Sequence, residues 1–326
     1  MYNRENAPRG RTHREKGSAA MTFQQLQNQA LALLDEEGPE AAFALMKEEG
    51  PSAEHAVPAQ MYNFLYCFAA LSGKEEEAMG LLTEAVFAKG FWYDYDYLMA
   101  DEDLTVLRHR PEFAAVAEAC RARQQEALAA AHPVLEGADT LRPGQPFALV
   151  LHGDQENAAV TAPYWQAVTD AGCALCLAQS SQVQVTDGYL WDDEELAADE
   201  IAQHWQTLTA QGGEGILCGF SSGGRAALYA ALEGKVTPKG LILASPWLPE
   251  LDQWKEMLPR LAEKGVRLAI VCGDADPDCF DCSQELFELA DDAGVECSFR
   301  LCEDVEHAYA PNFPQLLQDA VRFILA

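Results

Sequence analysis

Basic side chains are scarce in this sequence. Only 22 Lys and Arg stand against 52 Asp and Glu, a formal net charge of −30. A surface this acidic repels phosphate backbones and anionic lipid, so nucleic acid and acidic membrane are excluded as partners, and strongly anionic substrates are disfavoured. Long apolar runs are missing too. No stretch is long enough to span a bilayer, and the opening MYNRENAPRGRTHREKGSAA is polar and mildly basic, without the apolar core of a secretory signal. Residues 1–20 read as a disordered leader, with the first helical pattern starting at Met21. Neither G-x-G-x-x-G nor a P-loop lysine occurs, which removes the commonest nucleotide-binding readings. Cysteine is not scarce, but the ten thiols are scattered and many sit inside apolar runs, as buried reduced cysteines do. Cys173-x-x-Cys176 falls within a strand, where the two side chains face opposite ways, and Cys279-x-x-Cys282 lacks a second pair at zinc spacing. These absences together describe a soluble, cytoplasmic protein that needs neither metal nor cofactor.

What is present divides into two textures. From residue 21 to 132 the apolar spacing is helical, with helices predicted at about 39–49, 58–72, 74–89 and 111–131 after a first one from Met21. Glu40–Met46 (EAAFALM) and Glu77–Leu82 (EAMGLL) echo each other 36 residues apart. That offset is close to the tetratricopeptide period, so the segment is similar to a short tetratricopeptide-like array of helical hairpins. Its aromatic patch, Phe91 to Tyr97, is either packing between helices or a groove for a protein or peptide partner. Residues 133–146 carry the prolines and glycines of a domain linker.

Residues 147–326 alternate short apolar strands with helices. Six strands are predicted, at about 147–152, 173–178, 215–219, 240–244, 267–272 and 298–302. Strands apolar on both faces and separated by helices form a mostly parallel sheet covered on both sides, and sites in such α/β sheets lie at the carboxyl ends of the strands.

The chemically informative residues fall at those ends. Gly219-Phe220-Ser221-Ser222-Gly223 follows one strand and opens a helix, the setting in which a G-x-S-x-G turn holds a nucleophilic serine clear of the sheet. A serine hydroxyl needs an imidazole to take its proton, and one histidine, His307, lies after Ser221 in the entire chain. The imidazole needs a carboxylate, and the strand ending near Cys272 offers Asp274, Asp276 and Asp278. Backbone N–H groups of Ser222, at the start of the helix, and of Asp154, in the loop after the first strand, are the expected oxyanion donors.

Together these residues resemble the α/β-hydrolase superfamily, and within it the carboxylesterase/phospholipase group that includes acyl-protein thioesterase-like enzymes. The resemblance covers 147–326 and rests on LHGD (Leu151 to Asp154), GFSSGG (Gly219 to Gly224), GDAD (Gly273 to Asp276), the late His307 and the WDD at Trp191. It implies an α/β-hydrolase domain behind an all-α helical-hairpin domain, and a triad of Ser221, Asp276 and His307. The family's G-x-x-D favours Asp276 over Asp274. Substrate contacts are expected from Gly153, Gln155, Phe220 and Trp191. The chain departs from the family in carrying Gln155-Glu156 where a glycine usually follows H-G, and Glu306 where a glycine usually precedes the histidine.

The expected activity is cleavage of carboxylic ester or thioester bonds of small or acyl substrates through an acyl-enzyme at Ser221. A peptidase or acyltransferase would use the same triad. A non-catalytic adaptor acting through the helical domain is the reading from a different class. A histidine base works only as neutral imidazole, so the rate should fall on acidification; a rate flat from about pH 5 to 8 would argue against the assignment.

Overall fold

A computed structural model describes residues 21–326; the expected leader, 1–20, lies outside the described residues. The helical unit opens at Thr22, whose hydroxyl accepts from the Gln25 amide while the Gln25 side chain accepts from the Thr22 amide. That reciprocal cap satisfies two N–H groups that a helix start leaves without partners. It begins α1 (Phe23–Glu36), followed by α2 (Pro39–Glu49), α3 (Pro58–Leu71), α4 (Glu75–Thr83), α5 (Tyr95–Ala100) and α6 (Pro111–Ala130). Helices α1 to α4 pack in succession, and Leu26, Met46, Tyr66, Leu82, Leu104 and Phe113 meet in a common core.

Then comes the sheet. Its elements are β1 (Val134–Glu136), β2 (Phe147–Leu151), α7 (Ala158–Trp165), β3 (Ala174–Gln179), β4 (Gln182–Val185), β5 (Gly188–Leu190) and α8 (Glu194–Thr209). They continue as β6 (Gly215–Phe220), α9 (Ser222–Leu232), β7 (Gly240–Ala244), α10 (Leu251–Trp254), α11 (Pro259–Glu263), β8 (Arg267–Gly273), α12 (Phe280–Asp292), β9 (Cys297–Cys302) and α13 (Phe313–Leu325). Strands β1-β3-β2-β6-β7-β8-β9 form one sheet, parallel throughout except for β1, and β4 pairs with β5 in a separate hairpin. Two residues of each period face opposite ways, which sorts the core into layers. Leu149, Leu217 and Leu243 pack under α8 and α9, while Val150, Cys218 and Ile242 pack under α7 and α13. Cys173 and Cys176 enter opposite layers, which separates their thiols.

Among the described residues the sheet has seven strands rather than six. The additional one, β1, is three residues inside the segment expected to be a plain linker, and it pairs antiparallel with β3 along the sheet edge. An edge strand this short lacks the apolar run that marks its buried neighbours. The β4–β5 hairpin carries no such run either, yet it fastens the two units together. The Thr186 amide at its turn donates to the Trp92 carbonyl at 3.1 Å, the Trp92 amide donates to the Thr186 hydroxyl at 2.7 Å, and Val185 packs into the helical core.

This contact accounts for two rings of the aromatic patch, whereas Tyr97 stays exposed. Trp92 and Tyr93 are 6 % and 1 % exposed, and Tyr93 stands edge-on to Tyr66 while its hydroxyl donates to the Ala59 carbonyl at 3.0 Å. Neither ring is open to a partner. Among the described residues no helix is long and apolar enough to cross a membrane.

Tyr93→Ala removes a fully packed ring and its hydrogen bond to the Ala59 carbonyl, so urea denaturation should show a loss of ~3–5 kcal/mol. A loss below about 1 kcal/mol would mean the ring is not core.

Candidate active site

Strand β6 runs directly into the turn that carries Ser221. The serine adopts φ 52° and ψ −122°, a backbone conformation that side-chain-bearing residues seldom occupy. It is held there from three sides: its amide donates to the Ala244 carbonyl at the end of β7, and its carbonyl accepts from Arg225 and Trp247. The flanking glycines are steric requirements. A Cβ on Gly219 would lie 2.3 Å from the Gly223 carbonyl, and one on Gly223 would lie 2.3 Å from the His152 carbonyl oxygen. Helix α9 can therefore start against the end of β2 only with glycine at both positions.

His307 arrives on the loop between β9 and α13. That loop rests on Gly273, where a Cβ would meet the Val305 carbonyl at 1.9 Å, and the Ala275 amide donates to the same carbonyl at 3.1 Å. The imidazole stands between two partners. Its Nε2 lies 3.0 Å from Ser221 Oγ and its Nδ1 lies 2.8 Å from Asp276 Oδ2. The other carboxylate oxygen of Asp276 accepts from the amides of Asp278 and Cys279 at 3.1 and 3.0 Å. Burial alone would push the Asp276 carboxyl up, but the His307 hydrogen bond and charge, with the two amides, outweigh it and hold the group below its ordinary value. Asp274 meets a different need, accepting from the Asp304 amide at 2.8 Å and so bracing the histidine loop.

Asp276, Cys279 and His307 bring three potential metal-ligand atoms within 4.8 Å of one another. Their donors are already committed. Both imidazole nitrogens and both Asp276 oxygens have partners, and the Cys279 thiol is held protonated by its hydrogen bond with Cys282 and by burial. A metal here would have to displace hydrogen bonds already made by His307 and Asp276.

The loop after β2 differs from expectation in several places. Gly153 is buried, its amide donates to Glu156 Oε2 at 3.0 Å, and a Cβ there would lie 2.9 Å from the Phe220 ring, so it is a packing position rather than a substrate contact. Trp191 is 1 % exposed; it stacks on His152 and donates from its indole to the His152 carbonyl at 3.0 Å, supporting the loop from beneath. Gln155, at φ 54°, faces a separate recess beside Tyr93 and Tyr97. Phe220 does line the site, with its ring 4.9 Å from the His307 ring. Asp154 and Ser222 line it as well, and although Asp154 is partly open to solvent, desolvation by the surrounding walls and then the charges of Asp192 and Glu156 push its carboxyl up.

His152 itself is fully buried and neutral. Its Nδ1 donates to the Gly153 carbonyl at 2.8 Å and its Nε2 accepts from the Ser180 amide at 3.3 Å. Desolvation drives its pKa down to about 4.

The largest surprise is the opposite wall, which comes from the helical unit. Gln24, Gln27, Asn28 and Leu31 of α1, with Gln60 of α3, face Ser221 across a cavity of about 530 Å³. Gln24 Nε2 donates to Glu156 Oε1 at 2.7 Å, and Asn28 Nδ2 donates to the carbonyl of His307 itself at 3.1 Å. Nothing in the local pattern of α1 marks these residues, because solvent-facing amides on an amphipathic helix look the same.

The unfolded chain binds a proton on His152 between about pH 6.5 and 4 that the native ring refuses, so this contribution to stability is complete above about pH 6.5 and is lost as pH falls. At pH 5 the loss should be ~2 kcal/mol, and His152→Gln should show a correspondingly flatter difference between pH 7 and pH 5 in urea melts. Glu156 and Glu200, raised by burial, act in the opposite sense in both proteins, so the comparison cancels them. Parallel pH profiles would mean the ring is charged in the native state.

Comparison with known proteins adds to this geometry. Residues 22–128 match the family model described as A/B hydrolase-like, N-terminal domain. A solved, uncharacterized protein from Bacillus cereus ATCC 10987 is 36 % identical, with 94 % of this chain and 100 % of that one covered and a TM-score of 0.54. Weaker similarity extends to acyl-protein thioesterase 2 of Zea mays, at 18 % identity over 60 % of this chain and 100 % of that one, TM-score 0.47. The esterase PE8 is also 18 % identical, over 60 % of this chain and 98 % of that one, TM-score 0.48. Among curated proteins none matches the sequence. The parallel sheet with its serine turn, the matched N-terminal domain and the identity to the Bacillus cereus protein over nearly the whole length carry one conclusion: the chain belongs to that protein's family, of α/β-hydrolase fold with an A/B hydrolase-like N-terminal domain.

Proposed function

We propose that the protein is a serine hydrolase that cleaves carboxylic ester or thioester bonds through an acyl-enzyme at Ser221. The observation that carries this reading is the continuous chain from Ser221 Oγ to His307 Nε2 at 3.0 Å and from His307 Nδ1 to Asp276 Oδ2 at 2.8 Å, set at the carboxyl ends of three strands. In the proposed reaction Ser221 Oγ forms a bond to the substrate carbonyl carbon while its proton passes to His307 Nε2. Asp276 holds the Nδ1–H tautomer and stabilises the imidazolium. The carbonyl oxygen, now an anion, is received by the amides of Asp154 and Ser222, the latter on the first turn of α9, where N–H groups have no intrahelical acceptor. The Gly153 amide is committed to Glu156, which makes the next amide, Asp154, the candidate donor. Collapse expels the alcohol or thiol with the proton from His307. Water, deprotonated by the same imidazole, then attacks the acyl carbon, and Ser221 leaves with that proton.

A fluorophosphonate probe should label the wild type but neither Ser221→Ala nor His307→Ala, and kcat/KM for 4-nitrophenyl acetate should fall at least about 10³-fold in both. Asp276→Asn should retain the fold but lose about 10³- to 10⁴-fold. A folded wild type that is neither labelled nor active would overturn the proposal.

A further inference from the structure

The cavity over Ser221 joins apolar surface to a group of carboxylates that no cation balances. The carboxylates of Asp154, Glu156, Asp192 and Asp278 line it, and among the described residues no lysine or arginine does. The nearby Arg225 is already taken, bonded to Glu194 at 2.6 Å and to Glu250 at 2.7 Å.

The helical wall continues the theme. Gln24 could in principle offer either end of its amide. Its NH₂ is claimed by Glu156, an acceptor-only partner, so its oxygen is what remains. Gln24 is 8 % exposed and that oxygen has no partner; the side-chain oxygen of Gln184, on the same lining, has none either. A buried acceptor left without a donor is unfavourable, and evolution of a core rarely leaves one without cause. Two orphaned acceptors in a wall shared with these carboxylates suit a ligand that brings N–H donors and positive charge.

We infer that the substrate carries an alkylammonium group, and that the helical domain, through Gln24, joins Asp154 and Asp192 in receiving it next to the ester or thioester. An ammonium supplies three donors and one charge on a compact head, which matches orphaned amide oxygens as well as carboxylates. Leu31, Leu190, Phe220 and Trp247 supply apolar surface along which the methylenes of such a substrate can lie. Glu156 is the hinge of the arrangement, since it ties the Gly153 amide on one side and the Gln24 amide on the other. This assignment rests on Ser221 being the nucleophile.

Three isosteric substrates test it: the 4-nitrophenyl esters of 6-aminohexanoic, heptanoic and adipic acid, which place ammonium, methyl and carboxylate at similar reach. With the full chain, kcat/KM for the ammonium ester should exceed that for the heptanoate at least about tenfold, with the adipate monoester slowest. In Gln24→Leu and in Asp192→Asn the ammonium-to-methyl ratio should move toward one. Asp192 is exposed, so its variant keeps the test available if the buried Gln24 change unfolds the chain. Equal rates for ammonium and methyl esters in a wild type that takes the fluorophosphonate would overturn the inference while leaving the hydrolase reading intact. If the wild type neither labels nor turns over any ester, the hydrolase reading fails instead. Calorimetry then decides the ammonium site separately: hexane-1,6-diamine should bind at least about tenfold more tightly than hexane-1,6-diol, and equal or absent binding would overturn it.

Discussion

The end of β6 is where the chain passes itself most closely, and the site depends on that approach. Gly219 touches the Gly223 carbonyl, Gly223 touches the backbone at the end of β2, and Ser221 between them is held in a conformation that costs free energy wherever it occurs. Amide and carbonyl contacts from β7, α9 and the Trp247 turn hold it there. Because β2, β6 and β7 are fully buried and register-locked as neighbours, the strain cannot relax by sliding one strand past another. The hydroxyl is thus presented at a fixed height above the sheet, and the histidine loop, seated on Gly273, meets it.

A second dependence runs across the domains. The β4–β5 hairpin joins the helical unit through Trp92 and Thr186, and that junction brings α1 over the loops that carry Glu156 and His307. Asn28 then reaches the His307 carbonyl and Gln24 reaches Glu156. The helical unit is therefore part of the cavity, where its amide side chains face the carboxylates of the α/β unit. The same loop also shows how one buried carboxylate does structural work: Glu156 satisfies an amide on each side and leaves Gln24 with an oxygen to offer.

Much of the α/β domain was readable because its signals are local. A buried parallel strand must be apolar on both faces, so β2, β6, β7 and β8 stand out as runs, and a serine turn this tight tolerates only glycine at 219 and 223. His307 followed by elimination, as the one histidine after Ser221. Residues whose role depends on a distant neighbour were not readable. Trp191 is expected as a substrate contact and is instead the shelf beneath His152; Gln155 turns away from the site that its position in the loop suggests.

By itself, then, the sequence determined the alternation of strand and helix, the serine turn and the order in which serine, acid and histidine follow one another, because steric and hydrophobic demands within a few residues of each position leave little choice. The G-x-x-D resemblance already favoured Asp276 over Asp274, but only the tertiary structure decided that β1 extends the sheet and that Gln24 and Asn28 of a separate helical unit stand over Ser221. Those outcomes depend on distances between elements far apart in the chain, and a side chain's spacing along its own helix or strand carries no information about what will be packed against it.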